Sequence, residues 1–201
     1  MSVRDQSRSG YLMKRCFDIA VSAIGLTLFA PVMLVLGVIV KIQTPGPAIY
    51  SQERIGYRQK PFNIYKLRSM IDGAECGEPL LSGGNDSRIT PIGRFMRRYH
   101  LDELPNFWNV LKGDMSVVGP RPERKFFIDK IVEVTPEYTL LHQVRPGLTS
   151  LGMVKWGYAS TIEELIGRMR YDIVYVRNIS PSLDFKILFY TFHMLIKGEG
   201  V

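Results

Sequence analysis

The sequence lacks most of the residue types and motifs that mark common classes of protein. Its two cysteines, Cys16 in an apolar run and Cys76 in a polar loop, exclude a disulfide framework and predict reduced thiols. The three histidines show no metal-ligand spacing. GxxxxGK[ST], GxGxxG and HExxH are all absent, so P-loop, dinucleotide-binding and zincin hypotheses have no support.

Acidic residues are also in the minority. The 201 residues include 26 lysines and arginines against 19 aspartates and glutamates, which gives a net charge of +7. Such an excess suits an anionic partner, namely nucleic acid, a phospholipid surface or a phosphorylated substrate. The hydrophobic content of 46% is sufficient for one domain with a core and one membrane element.

A long apolar run lies near the start of the chain. Residues 16–40 carry Asp18 as their only charge, and as a helix they would extend about 37 Å, more than the hydrocarbon core of a bilayer at about 30 Å. Pro31 removes one helical hydrogen bond past the middle of this run, so a bend or break is expected there. The Thr27 hydroxyl is expected to help satisfy the backbone nearby.

Both flanks of the apolar run are basic. Residues 1–15 contain four lysines and arginines, and residues 41–60 contain another four. The positive-inside bias would therefore place both flanks on the cytoplasmic side. A re-entrant helix that enters and leaves by one face fits this pattern, with a kinked span and a buried helix of a soluble domain as alternatives.

The remaining chain predicts an α+β fold, mainly helical, with a small β-hairpin. We expect strands in 48–56 and 61–70, a mobile loop over 71–90, and helices at 91–99, 102–112, 122–134, 161–177 and 182–198. The last two are amphipathic, and the final one is expected to lie on the membrane surface, with docking to the core as the alternative. The expected division is a membrane segment, residues 1–43, and a catalytic domain, residues 44–201.

Two adjacent carboxylates, Asp102 and Glu103, precede a proline and an apolar helical pattern. As an N-cap, Asp102 would accept a bond from an N–H two or three places on, but Pro105 has none, so only Leu104 can donate. A cap remains an alternative explanation for Asp102, although it does not account for Glu103. A helix N-terminus also favours phosphate through its free N–H groups and its dipole.

Basic residues occur in rigid settings around these acids. Arg97 lies on the preceding helix, Arg121 is held between two prolines in GPRP, and Arg145 begins the turn RPG. Lys66 and Arg68 end the predicted hairpin. Proline lowers the entropy lost on gripping a ligand, and guanidinium matches phosphate oxygens, so these five are candidate phosphate or substrate ligands. Solvated surface charges are the alternative.

Asp172 is a further candidate. It lies three residues after Met169 and seven after Leu165, within the apolar stripe of its helix. A carboxylate there is unfavourable unless it is paired, so a salt bridge and a functional role are both open. Carboxylates among arginines suggest phosphoryl transfer with Mg²⁺, which takes one or two carboxylates plus phosphate oxygens, and aspartate can form an acyl phosphate.

Several segments together resemble one known family. The chain contains, in order, KRCFDIAVS, PGPAIYSQERIG, FNIYKLRSM, LDELPNFWNVLKGDMSVVGPRPE, VRPGLTS and RYDIVYVRNIS. This order resembles the small monotopic phosphoglycosyl transferases, bacterial polyprenyl-phosphate sugar-1-phosphate transferases that begin glycan assembly. The likeness covers residues 12 to about 196, and the block LDELP to GPRP is highly specific.

The resemblance implies an activity and a location. A nucleoside-diphosphate sugar, most often a UDP-sugar, would donate its sugar-1-phosphate to undecaprenyl phosphate with Mg²⁺ as cofactor, and nucleoside monophosphate would leave. The chain would be the minimal catalytic form, held in the bacterial inner membrane at its cytoplasmic face by a re-entrant helix broken at Pro31. Membrane lipids are implied partners, nucleic acid is not, and a homodimer is compatible with the resemblance.

The resemblance also implies roles for individual residues. Asp102 would be the nucleophile that becomes phosphoglycosylated. Glu103 would support it, and both acids would be candidate Mg²⁺ ligands. Arg97 and Arg121 would hold phosphates, and Asp172 matches the acid of the family's YDxxY segment.

Some positions depart from the family pattern. His100 stands where Ser or Thr often precedes LDE, and Asn106 stands where Gln usually follows LDELP. After the RPG turn the chain has TSLGMVKWGYA where many members read TGLAQVNGRN. This region is expected to take part in selecting the sugar, which therefore stays open.

Two other classes of function are alternatives. A non-catalytic membrane adaptor would explain the net charge and the apolar run, but not the adjacent acids. A nucleic-acid-binding protein would show a basic stripe with interleaved aromatic residues, whereas the arginines here are scattered.

Overall fold

A long N-terminal helix precedes all other elements. In the computed structural model, which describes residues 8–74, 77–81 and 86–198, helix α1 runs over Arg8–Gln43 and ends at the expected domain boundary. Pro31 lies inside α1 and the helix continues through it, so the chain does not break there; the expected bend stays a prediction. The Thr27 hydroxyl donates to the Ala23 carbonyl at 2.9 Å, an i−4 bond of the kind that often bends helices.

Both ends of α1 contact the rest of the protein, whereas its middle is largely exposed. Near its start, Lys14 forms an ion pair with Asp184 at 2.6 Å. Near its end, Leu36 and Val40 are buried. Within the described ranges α1 alone is long and apolar enough to cross a membrane, judged by length and composition. Its exposed apolar side chains include Ile24, Leu28, Val32, Leu34, Val35 and Val38.

Two small sheets follow α1. Strands β1, Ile49–Ile55, and β2, Pro61–Leu67, form the expected antiparallel hairpin through a 3₁₀ turn. Strands β3, Ser116–Val118, and β4, Gly147–Thr149, form a parallel pair that the sequence did not predict. A Cβ atom at Gly147 would collide with the backbone of Gly119, so glycine permits the close approach of the loops that carry GPRP and RPG.

Within the described residues, six further α-helices, with 3₁₀ segments between some of them, complete the fold. Thr90 caps α2 by accepting from the Gly93 N–H, as its position before Pro91 predicts. The fold class, mainly helical with a small β component, is confirmed. Part of the predicted loop 71–90, together with Cys76, lies outside the described residues. The helices are α2 Pro91–Arg98, α3 Asn106–Lys112, α4 Lys125–Val134, α5 Leu151–Lys155, α6 Ile162–Arg177 and α7 Pro181–Lys197.

The main core lies between β3, α4, α6 and α7. Ile131, Ile173 and Ile187, from the three helices, are each at most 4% exposed. Burial of such side chains fixes the position of α6, on which the candidate Asp172 lies. α7 docks by one edge through Ile187 and leaves an aromatic face exposed; its contact with a membrane stays a prediction. That exposed face comprises Phe185, Phe189, Phe192 and Ile196.

Candidate functional site

A cavity of about 420 Å³ lies between the hairpin, the junction of α2 and α3, the GPRP loop, α4 and α6. It is strongly basic, although four carboxylates also line it. Because eight cations face four carboxylates, the cavity carries a net positive charge and suits a polyanionic ligand. The cationic residues are Arg54, Lys66, Arg68, Arg88, Arg97, Arg121, Arg124 and Arg168; the carboxylates are Asp72, Asp102, Glu103 and Glu123.

The two adjacent acids enter this cavity on a short 3₁₀ turn. α2 ends at Arg98, and His100 adopts a left-handed conformation with φ 55°, which reverses the chain before the 3₁₀ turn Leu101–Glu103. The backbone strain of such a residue is about 1 kcal/mol. Asp102 does not cap α3, because Pro105 holds the N-cap position and the Asp102 side chain makes no capping bond. The cap hypothesis for Asp102 is therefore wrong.

Glu103 is bound to two cations. Its Oε1 accepts from Lys66 Nζ at 2.6 Å and from Arg121 Nη2 at 2.8 Å, although the side chain is only 9% exposed. Burial alone would raise the pKa of Glu103, but Arg121 and Lys66 outweigh it and hold the pKa well below its usual range. Glu103 is thus a fixed negative charge that orients the two cationic side chains of Lys66 and Arg121.

Asp102 has the opposite environment. It is 6% exposed, and among the described residues none donates a hydrogen bond to its carboxylate. Burial raises the pKa of Asp102, and the neighbouring Glu103 charge raises it further, against the opposing effects of Lys66 and Arg97. Two neighbouring carboxylates with pKa values shifted in opposite directions commonly have different roles. Asp102 is the one whose oxygens remain available to a ligand.

Three of the five predicted basic ligands surround this pair. Lys66 and Arg121 contact Glu103 directly. Arg97 lines the same cavity and donates through Nε to the Ser69 hydroxyl at 2.8 Å, which fixes the direction of its guanidinium. The structure therefore brings Lys66, Arg97 and Arg121 together with Asp102 and Glu103.

Arg68 and Arg145 have other contacts. Arg68 lines the cavity, but its guanidinium donates to the Thr44 carbonyl at 2.8 Å and to the Pro45 carbonyl, so it ties the exit of α1 to the end of β2. Arg145 does not line the cavity. It donates to the Gly113 carbonyl at 2.8 Å, and its guanidinium lies over the ring of Tyr11.

Asp172 also lies outside this cavity. Its carboxylate accepts from the Gly152 N–H at 2.7 Å and from the Arg121 N–H at 3.4 Å, and it is 2% exposed. Burial raises the pKa of Asp172 to about 6, against the lowering effect of these hydrogen bonds and of Arg168. Asp172 thus holds the backbone of Arg121 and the start of α5, and it has no direct access to a ligand in the cavity.

Comparison with known proteins decides the family. The bacterial sugar transferase family model matches residues 9–198. The chain belongs to this family. Among similar sugar transferases is the UDP-N-acetylgalactosamine-undecaprenyl-phosphate N-acetylgalactosaminephosphotransferase of Aeromonas hydrophila, 39% identical over 94% of this chain and 44% of the relative.

Two further relatives carry a different sugar in their names. A UDP-glucose:undecaprenyl-phosphate glucose-1-phosphate transferase of Klebsiella pneumoniae is 41% identical over 90% of this chain and 39% of its own length. A protein of the same name from Caulobacter vibrioides is 38% identical over 94% of this chain and 72% of its own length. The present chain thus spans about two fifths of the first two relatives.

Further residues of this sugar transferase cavity were missed from the sequence. Glu123 accepts from Arg54 Nη1 at 2.9 Å and from Arg168, and all three line the cavity. The signal for Arg168 was present, because it lies three residues after Leu165 in the same buried stripe as Asp172. No such signal was present for Arg54. The alternating pattern of β1 shows only that its side chain lies on one face of the hairpin, and not what that face contacts.

The residues present fit Mg²⁺ held jointly with a substrate. No group of three or more metal-ligating side chains occurs in the described part of the chain, so a metal cage made by the protein alone is absent there. Mg²⁺ commonly takes only one or two carboxylates and completes its shell with phosphate oxygens and water. The buried Asp102 carboxylate, without a donor from the described residues, meets the first requirement, and Glu103 adjoins it.

Proposed function

We propose that this sugar transferase moves sugar-1-phosphate from a UDP-sugar to undecaprenyl phosphate and releases UMP. The observation that carries the proposal is the buried Asp102, which has no hydrogen-bond donor among the described residues, beside a charge-compensated Glu103 in a strongly basic cavity. The names of three relatives, which contain both UDP-sugar and undecaprenyl phosphate, support the choice of substrates.

In the first step, a carboxylate oxygen of Asp102 attacks the phosphorus that carries the sugar. The bond from this phosphorus to the oxygen bridging the two phosphates breaks, and UMP leaves with the electron pair. The sugar phosphate is then an acyl phosphate on Asp102. Arg121 and Lys66, oriented by Glu103, would neutralise the phosphate oxygens as the reaction proceeds.

In the second step, a phosphate oxygen of undecaprenyl phosphate attacks the same phosphorus. The acyl phosphate bond breaks, Asp102 is released as a carboxylate, and a diphosphate links lipid and sugar. Asp102 and Glu103 would hold Mg²⁺ with the diphosphate, where the ion would reduce repulsion between phosphate and carboxylate.

The membrane arrangement is also part of the proposal. Segments on both sides of Pro31 contact the same folded body, with Lys14 bonded to Asp184 and Val40 buried in a cluster with Leu67 of β2 and Met96 of α2. These contacts support a helix that enters and leaves by one face, so that the cavity meets the lipid phosphate at the cytoplasmic surface. The exposed aromatic face of α7 supports an interfacial position. The homodimer stays a prediction.

The reaction is tested with purified protein, undecaprenyl phosphate, Mg²⁺ and a panel of UDP-sugars. We expect UMP and a lipid-linked sugar diphosphate in equal amounts with at least one donor, and loss of both on chelation with EDTA. Without undecaprenyl phosphate, mass spectrometry of the protein should show sugar phosphate attached at Asp102.

Asp102→Asn is the decisive variant. It should lower turnover by at least about 10³-fold, because the nucleophile is lost, and leave membrane binding intact. Asp129→Asn, which alters an exposed carboxylate of α4 paired with Lys125, is the matched control and should keep wild-type turnover. Full activity in Asp102→Asn would contradict the mechanism, and no UMP release with any donor would favour the adaptor hypothesis.

The topology is tested separately by labelling. Single cysteines placed at Ser9 and Gln43 of a cysteine-free protein should both react with a membrane-impermeant reagent added from the cytoplasmic side. Protection of one of the two would show that α1 crosses the bilayer.

A further inference from the structure

Two residues at which this chain departs from the family pattern meet at the cavity. His100 and Tyr158 are 58 residues apart in sequence, yet their rings stack with centroids 5.7 Å apart. The Tyr158 hydroxyl lies 3.1 Å from His100 Nδ1. This hydrogen bond holds the phenol hydroxyl beside His100 and so restricts where the Tyr158 side chain can lie.

Tyr158 lies on the wall of the reactive cavity. It lines the cavity together with Asp102, Glu103 and Arg121. Burial raises the pKa of the Tyr158 hydroxyl, and the nearby Glu103 charge raises it further, so the group stays protonated at neutral pH. A neutral hydroxyl in this place can donate or accept one hydrogen bond, and the ring offers an apolar face to a ligand.

The chemistry of the proposed reaction indicates which part of the donor this wall meets. The sugar is joined through one oxygen to the phosphorus that Asp102 attacks, whereas uridine lies beyond the second phosphate and departs on the opposite side. Tyr158 lines the same cavity as Asp102 and is bonded to His100, two residues before that acid, so it lies on the side of the cavity where the attacked phosphorus and its sugar would be. A ring face combined with a fixed hydroxyl matches a hexose, which presents C–H faces and equatorial or axial hydroxyls.

We propose that Tyr158, oriented by His100, contacts the donor sugar and discriminates between UDP-hexoses. This inference rests on the proposed function. The sequence predicted that the segment TSLGMVKWGYA selects the sugar, and this inference assigns that role to one of its side chains, Tyr158. It adds His100, which precedes Asp102 and Glu103 in the sequence, as the partner of Tyr158. His100 is a positioning residue, because it acts through Tyr158.

The test compares kcat/KM for UDP-glucose, UDP-galactose and their N-acetylamino counterparts. In Tyr158→Phe, the ratio between the preferred donor and its C4 epimer should change by at least about tenfold, because a hydroxyl-binding site discriminates strongly. His100→Ser should change the same ratio in the same direction, but less. Tyr190→Phe, which removes a hydroxyl from a partly exposed ring of α7, should leave the ratio unchanged.

The outcomes separate a sugar contact from other roles. An equal loss of activity with all donors in both variants would show a structural role and overturn the inference. A weaker inhibition by UMP in Tyr158→Phe with unchanged donor ratios would place the ring at the nucleotide and overturn it as well. No UMP release by the wild-type protein would contradict the proposed function before any variant is compared, and would remove the basis of this inference.

Discussion

The two ends of α3 both gather cationic side chains, but these cations have different partners. Before the N-terminal end, Lys66 and Arg121 bind the Glu103 carboxylate at the edge of the cavity. At the C-terminal end, Arg15 donates to the carbonyls of Val110 at 2.6 Å and Leu111 at 2.8 Å. Arg145 donates to the carbonyl of Gly113, the residue that ends the helix.

The difference teaches that a rigid arginine is not by itself a phosphate ligand. The last carbonyls of a helix lack intrahelical partners, so guanidinium groups nearby are occupied in satisfying them. A carboxylate beside a cavity leaves the remaining N–H groups of its cations directed toward the ligand space. Arg121 and Arg145 both lie next to prolines in the sequence, yet their partners differ. Arg121 binds the Glu103 carboxylate beside the cavity, whereas Arg145 binds the Gly113 carbonyl at the helix end.

Among the changes that compare the two ends of α3, the arginine substitutions have the largest expected effect. Arg121→Ala should lower kcat/KM for the UDP-sugar by about 10²–10³-fold, because a cation that stabilises developing phosphate charge is lost. Arg145→Ala, the matched change at the other end of α3, should alter kcat/KM by less than about threefold. Equal losses in both variants, measured by UMP release, would remove the distinction between the two ends.

A substitution at Asp172 tests the buried carboxylate that accepts a hydrogen bond from the Arg121 backbone N–H. The pKa of Asp172 is about 6 in the folded protein and 3.8 in the reference state, so between about pH 4 and 6 the folded state binds more protons. The contribution of Asp172 to the free energy of unfolding should therefore fall as the pH rises through this window. Relative to Asp172→Asn, wild-type stability should decrease by about 2 kcal/mol from pH 4 to pH 7.

Thermal unfolding of both proteins in the same detergent across this pH range measures the difference, since the other titrating groups are common to both. If the melting temperatures of the two proteins changed in parallel with pH, Asp172 would not take up a proton on folding.

Arg15 provides the smallest expected effect. Arg15→Ala leaves the carbonyls of Val110 and Leu111 without this donor and should lower the free energy of unfolding by about 1–2 kcal/mol. Donor KM should stay unchanged, because Arg15 lies at the end of α3 away from the cavity. A rise in KM without a fall in melting temperature would indicate instead that this end contacts substrate.

Several elements could be predicted because their signals are local. The alternating hairpin, the Thr90 cap with Pro91, and the buried stripe of α6 each depend on residues within one or two turns. The pairing of β3 with β4 could not be predicted, since three-residue strands carry no period and their contact depends on two distant glycines.

The candidate site also has features with a local sequence signal and features that depend on distant residues. The adjacent acids were recognisable from the sequence, yet their different electrostatic environments depend on Lys66 and Arg121, which come from other elements. The bonds of Arg68 and Arg145 to backbone carbonyls could not be predicted, because only the folded chain brings those carbonyls to them; their roles as ligands stay predictions.

The sequence alone determined the apolar helix, the order of the main elements and the family, because these follow from composition, local periodicity and motif order. Only the tertiary structure decided which of two neighbouring carboxylates is free and which arginines face the cavity. The physical reason is that a charged side chain takes its role from the partners within hydrogen-bonding distance, and those partners are distant in the chain.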